Sequence, residues 1–108
     1  MDKYPIKTYI LGNTLTAAFQ QLIKLVNNYQ EYDIKINHFI CFNEHLIVYF
    51  SNKEEISVMS FNYFKQPHIG QRINNVYFDK DIPEKEFWEI ADVLILPALK
   101  SPRSMWQF

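Results

Sequence analysis

Between residues 13 and 30 the apolar positions return with the spacing of a helix. Leu15, Ala18, Phe19, Leu22, Val26 and Tyr29 fall at i, i+3, i+4, i+7, i+11 and i+14, which is one helical face. Asn13 or Thr14 supplies an N-cap, a side-chain oxygen that accepts from the first unpaired N–H groups. Ile23 and Leu25 widen the apolar face, so this helix is expected to be well buried, and Asn27-Asn28 marks fraying near its end. Ahead of it, residues 6–11 (IKTYIL) read as a short strand before a turn at Gly12-Asn13.

The period then changes from that of a helix to the alternation of strands. Residues 34–42 and 45–51 are rich in Ile, Phe, Val and Tyr, with Asn43-Glu44 between them as a two-residue turn. That turn pairs Phe42 with His45, Cys41 with Leu46 and Ile40 with Ile47. One face then carries Phe39, Cys41, Leu46, Val48 and Phe50 and is expected to lie under the helices. The other carries His38, Ile40, Phe42, His45, Ile47 and Tyr49 and mixes polar with apolar groups. A turn around Asn52-Lys53-Glu54 leads to a strand at 56–63. A two-residue loop puts Ile56 and Val58 on the mixed face and a three-residue loop puts them on the apolar one, because side chains alternate. Lys65 to Gly70, with Pro67, reads as a loop, and 72–78 as a fourth strand.

Asp81 with Glu84 has the spacing of a capping box, and Pro83 suits a first helical turn. Phe87, Ile90, Ala91, Leu94 and Ala98 form the inward stripe of the helix that follows, which Pro97 stops at about residue 96. The expected fold class is α+β, an antiparallel sheet of three to five strands packed with two helices. Residues 1–108 make a single domain, with 97–108 as a C-terminal tail that is either flexible or docks.

Composition narrows the functions. Aromatic residues make up 17% of the chain and glycine occurs twice, so no glycine-rich phosphate loop is available. A formal net charge of −1, with the basic residues scattered, excludes a general nucleic-acid binder. The lone Cys41 has no internal partner and fits a reducing compartment. With neither a signal-peptide run nor a membrane-length apolar stretch, the expected location is the cytoplasm. Ile, Asn, Lys, Tyr and Phe abound while arginine stands only at Arg72 and Arg103, a codon bias that points to a low-GC organism or an acquired bacterial or phage gene.

His38, Cys41 and His45 invite a zinc reading, or a Cys–His dyad. The hairpin register places Cys41 on the face opposite both histidines, so neither metal, cofactor nor catalytic group is assigned, and Cys41 reads as a small core residue. An acidic strip with Glu84, Glu86, Glu89 and Asp92 surrounds Trp88, and Trp106 belongs to the tail. Such a strip is either a solvated helix face or a docking surface for a basic partner. Glu44, Glu54 and Glu55 join it if they fall on the same side.

These features point to a non-enzymatic, protein-binding module. Its most concrete form is an immunity or antitoxin protein that blocks a basic, nuclease-type toxin. Glu84, Glu86, Glu89 and Asp92 then meet basic groups, and Trp88 or Trp106 is the anchor. The alternative is a small-molecule binder or small enzyme with a pocket on the mixed face around His38, His45 and Tyr49.

Overall fold

The computed structural model describes residues 6–65, 73–92 and 99–108, with side chains described except over 99–104. The order of elements is β1 (Ile6–Gly12), α1 (Leu15–Gln30), β2 (Ile36–Cys41), β3 (His45–Phe50), β4 (Glu54–Ser60), α2 (Phe61–Phe64), β5 (Ile73–Phe78), α3 (Glu84–Ile90) and β6 (Leu99–Gln107). The strands form one mixed sheet in the order β2-β3-β4-β1-β5-β6. β2, β3 and β4 pair antiparallel, whereas β1 runs parallel to both β4 and β5, and β5 parallel to β6.

The fold is mixed α+β, and among the described residues the expected antiparallel sheet of three to five strands with two helices is corrected to a mixed sheet of six strands with three helices. Its centre is β1, whose residues from Thr8 to Gly12 are all buried. A strand covered on both faces reads as a continuous apolar run, and YIL in the middle of β1 is that run. Parallel neighbours need a crossover connection; α1 with the β2–β3 hairpin links β1 to β4, α2 links β4 to β5, and α3 leads from β5 to β6.

The hairpin register is the one the turn dictates, with Cys41 opposite Leu46 and Ile40 opposite Ile47. Ser51, Asn52 and Lys53 form the three-residue loop between β3 and β4. Lys53 takes a left-handed φ of 71°, and Val48 sets opposite Ile56 on the α1 face. Residues 61–64 do not continue the strand. Ser60 accepts from the Tyr63 N–H at 3.2 Å and turns the chain into α2.

Thr14 caps α1, its Oγ1 accepting from the Ala17 N–H at 3.1 Å. A Cβ on Gly12 would lie 2.4 Å from the Thr14 carbonyl oxygen and 2.5 Å from the Ala18 nitrogen. Only glycine lets the strand end and the helix approach so closely. α1 uses Ala18, Leu22, Leu25 and Tyr29 to cover β1 and β4, packing on Ile10, Val48, Phe50, Ile56 and Val58. The buried stripe is thus rotated from the expected one, and Leu15, Phe19 and Ile23 are left exposed. On the opposite face Phe61 and Phe64 of α2, Phe87 of α3 and Ala91 at its C-cap pack on Tyr9, Leu11, Met59 and Val76.

The capping box on α3 does not form; the helix starts at Pro83 without a side-chain cap. The buried Asp79 takes that ordering role instead, accepting from the Asp81 N–H and the Asn13 N–H, each at 2.9 Å. The tail from Leu99 becomes edge strand β6, clasped by Phe108 N–H to Phe78 O at 2.9 Å and Lys80 N–H to Phe108 O at 2.6 Å. Pro102 is compatible with an edge, where a missing N–H costs no ladder bond. The predicted loop at 66–70, with Pro67, and the predicted helix end with Leu94, Pro97 and Ala98 lie outside the described residues.

Candidate docking site

Six strands at about 4.8 Å spacing make a sheet about 24 Å wide, while one helix covers about 10–12 Å. Among the described residues α1 is the helix on its face, and it leaves the β2 flank of that face uncovered. Every residue of β2 is exposed. The apolar hairpin face expected under the helices is covered only on β3, where Val48 and Phe50 are buried. On β2, Phe39 is 64% exposed and Cys41 also faces solvent, not a core.

The uncovered flank and the exposed side of α1 enclose an apolar groove. Phe19, Ile23 and Val26 form one wall, Ile36, Phe39 and Cys41 the other, and Leu46 and Val48 the floor, around about 440 Å³. A second cavity of about 290 Å³ continues it around the hairpin turn, from Leu15, Phe19, Cys41 and Leu46 to Phe42 and to His45, whose ring belongs to the other face. Both are lined by the 15–26 stretch of α1 and by β2–β3, with Leu15 beside Phe42 and Val26 beside Ile36. No charged side chain lines either cavity.

The mixed hairpin face does not gather the three residues of the expected pocket. His38 is exposed and stacks on Tyr49 at 4.4 Å, while His45 turns toward Phe42 and Tyr63. Tyr63 stands on α2, not on a strand of this face. Burial, and then the charge of Glu55, raise the Tyr49 hydroxyl above its ordinary pKa. Cys41 points to the opposite face from His38 and His45, and among the described residues no three His, Cys, Asp or Glu side chains come together as a metal site.

Glu84, Glu86, Glu89 and Asp92 are all exposed on or just after α3. Trp88, 43% exposed, meets the edge of Phe87 and borders a cavity of about 430 Å³ with Lys80, Asp81, Ile82 and Glu84. Trp106 stacks on Tyr77 at 4.7 Å, on the α1 side of the sheet, so the two tryptophans lie on opposite faces. One surface cannot use both as anchors. Nor do the turn acids extend the strip. Glu54 is buried, Glu55 is half-buried 3.9 Å from the Lys7 ammonium, and Glu44 sits exposed at the β2–β3 turn.

Glu54 organises a polar centre that sequence reasoning missed. Its carboxylate accepts from Thr8 Oγ1 at 2.5 Å and from the Tyr29 hydroxyl, and Thr8 Oγ1 accepts from Asn75 Nδ2 at 3.1 Å. Burial first, then the bond to Glu54, push the Tyr29 hydroxyl far above its usual pKa, and burial with Glu54's charge raises Tyr77. The four hydrogen-bonded members, Thr8, Tyr29, Glu54 and Asn75, come from four different elements, so no local spacing announces the cluster.

No family model matches this chain, and no curated protein does either. Among solved structures, the large terminase of a thermophilic bacteriophage is similar to it, with a TM-score of 0.54 and 11% identity over 96% of this chain. The match spans 25% of the terminase, and at that identity the likeness is one of fold alone. Among the described residues no helix is long and apolar enough to cross a membrane.

Proposed function

We propose that this chain is a protein-binding module that works in the cytoplasm, and that its principal docking face is the groove between α1 and the β2–β3 hairpin. One observation carries the reading: large apolar side chains, Phe39 foremost, are exposed together around a groove without charge. Apolar surface of this extent, in one patch, marks interaction sites on soluble domains. An immunity or antitoxin protein is one setting for such a module.

The acidic face of α3 is a second reading, favoured by its four exposed acids and by Trp88 beside a cavity. It suits a basic partner such as a nuclease-type toxin. One capture experiment in the source cells separates the two, using wild type, an Ile23→Glu/Phe39→Glu variant, and a variant with Glu84, Glu86, Glu89 and Asp92 changed to Lys. A stoichiometric partner lost only with the first variant supports the groove; loss only with the second transfers the function to α3. A partner that survives both, or no partner at all, refutes both surfaces.

A further inference from the structure

The geometry points to an amphipathic helix of about three turns, supplied by a partner protein, as the occupant of the α1–hairpin groove. This rests on the docking role proposed above and names what docks.

Width comes first. α1 lies over β1 and β4, and packed helices stand about 8–10 Å apart, or about two strand spacings. A second helix beside α1 therefore sits over β3 and β2, above Leu46 and between Ile23 and Phe39. Length agrees. The groove follows α1 from Leu15 to Val26, which is about 17 Å of helix or three turns. Its apolar side chains must recur at i, i+3 or i+4, and i+7 to face both walls.

Area decides that the contact is worth making. The exposed parts of Leu15, Phe19, Ile23, Ile36, Phe39 and Phe42 amount to about 500 Å² of apolar surface, counting about 200 Å² for a whole aromatic side chain. A helix that matches it buries about 1,000 Å² in all, the least that a specific interface needs.

Pairing at the β2 edge, by an added strand or by a second copy, leaves the groove open. The Phe42 N–H bonds the His45 carbonyl, so residues 42, 40 and 38 direct their backbone groups at β3, and only Phe39 and Cys41 offer theirs at the open edge before the irregularity between Ile36 and His38. An added strand gains a short ladder there and covers none of the groove floor. A second copy paired edge to edge through β2 holds the two α1 helices about six strand spacings apart, about 29 Å, with both grooves still empty between them.

The test pans two display libraries of 14-residue peptides against the wild-type chain, with the Ile23→Glu/Phe39→Glu variant as counter-selection. One library carries apolar residues at helical spacing and the other in strict alternation. The wild-type mass is measured in parallel by analytical ultracentrifugation. Both substitutions fall on exposed positions, and the circular dichroism spectrum of the variant confirms that it folds. Enrichment from the helical library, with binders that gain helicity on binding and lose at least tenfold in affinity with the variant, is the expected result. Enrichment from the alternating library overturns the helix and keeps the docking face. A wild-type dimer that the variant dissociates also overturns it, by assigning the face to a second copy. A monomer with no variant-sensitive binder overturns the helix and the docking face together.

Discussion

Tyr29→Phe isolates one hydrogen bond of the Glu54 centre. The substitution keeps the ring, and with it the edge contact to Phe50 at 5.1 Å, and removes only the hydroxyl that donates to Glu54. The Glu54 carboxylate is 6% exposed and retains one side-chain donor, Thr8 Oγ1 at 2.5 Å. A hydrogen bond to a charged group contributes about 1.5–3 kcal/mol, and water reaches this carboxylate too poorly to replace it, so a loss of about 2 kcal/mol is expected. With a urea slope of about 1–1.5 kcal/mol/M for a domain of this size, the midpoint should fall by about 1.5 M. The assay is urea unfolding at pH 7 followed by circular dichroism, repeated for Glu54→Gln and the double variant. Tyr29→Phe and Glu54→Gln should couple, the double variant costing less than the two single costs together. A midpoint shift below about 0.3 M, or costs that simply add, would show that the bond contributes nothing net and refute the reasoning.

Gly12→Ala drives a Cβ into backbone atoms of Thr14 and Ala18 that cannot swing aside. It should cost about 1–3 kcal/mol, seen as a melting temperature lowered by several degrees in a thermal scan. Thr14→Ala removes the cap of α1 and should cost about 1 kcal/mol by urea unfolding, while Thr14→Ser keeps most of it. Burial, with a smaller push from the charge of Glu55, raises the Tyr9 hydroxyl from 10.0 to about 12. Above pH 10 the unfolded chain has released a proton that the folded Tyr9 still holds, so stability declines as pH rises, by about 2–3 kcal/mol toward pH 12. Urea midpoints for Tyr9→Phe between pH 9 and 12 should fall less steeply than those of wild type; equal slopes would place the decline elsewhere, Tyr29 included.

What the sequence made legible is what neighbours in the chain decide. The β2–β3 register follows from a two-residue turn and strict alternation, and α1 from its period and its Thr14 cap. The pairing of β1 with β4 and β5 leaves no such trace. Thr8 and Asn75 meet across 67 positions, and nothing local in IKTYILG distinguishes an edge strand from the middle of a parallel sheet except its unbroken apolar run. Without that distinction, an apolar hairpin face is expected under helices, yet the true sheet is too wide for α1 to reach it. The groove is the direct result. Asp79 illustrates the same limit: Asp81 and Glu84 have the capping spacing, but the acid that orders the turn is the one that also reaches Asn13, from another part of the chain.

The central position of β1 also has a kinetic consequence. Its partners lie in residues 54–60 and 73–78, so the first strand made is among the last to be completed, and closing such loops costs entropy before any contact repays it. The β2–β3–β4 meander, built on short turns, can form while β1 waits. In that interval the edge of β4 that β1 will occupy is open, and the meander's other edge is Ile36–Cys41, which has no acid, lysine, arginine or proline. Such edges recruit other strands. Refolding yield should therefore fall steeply with protein concentration, because both edges of the meander are open to other chains until β1 is in place.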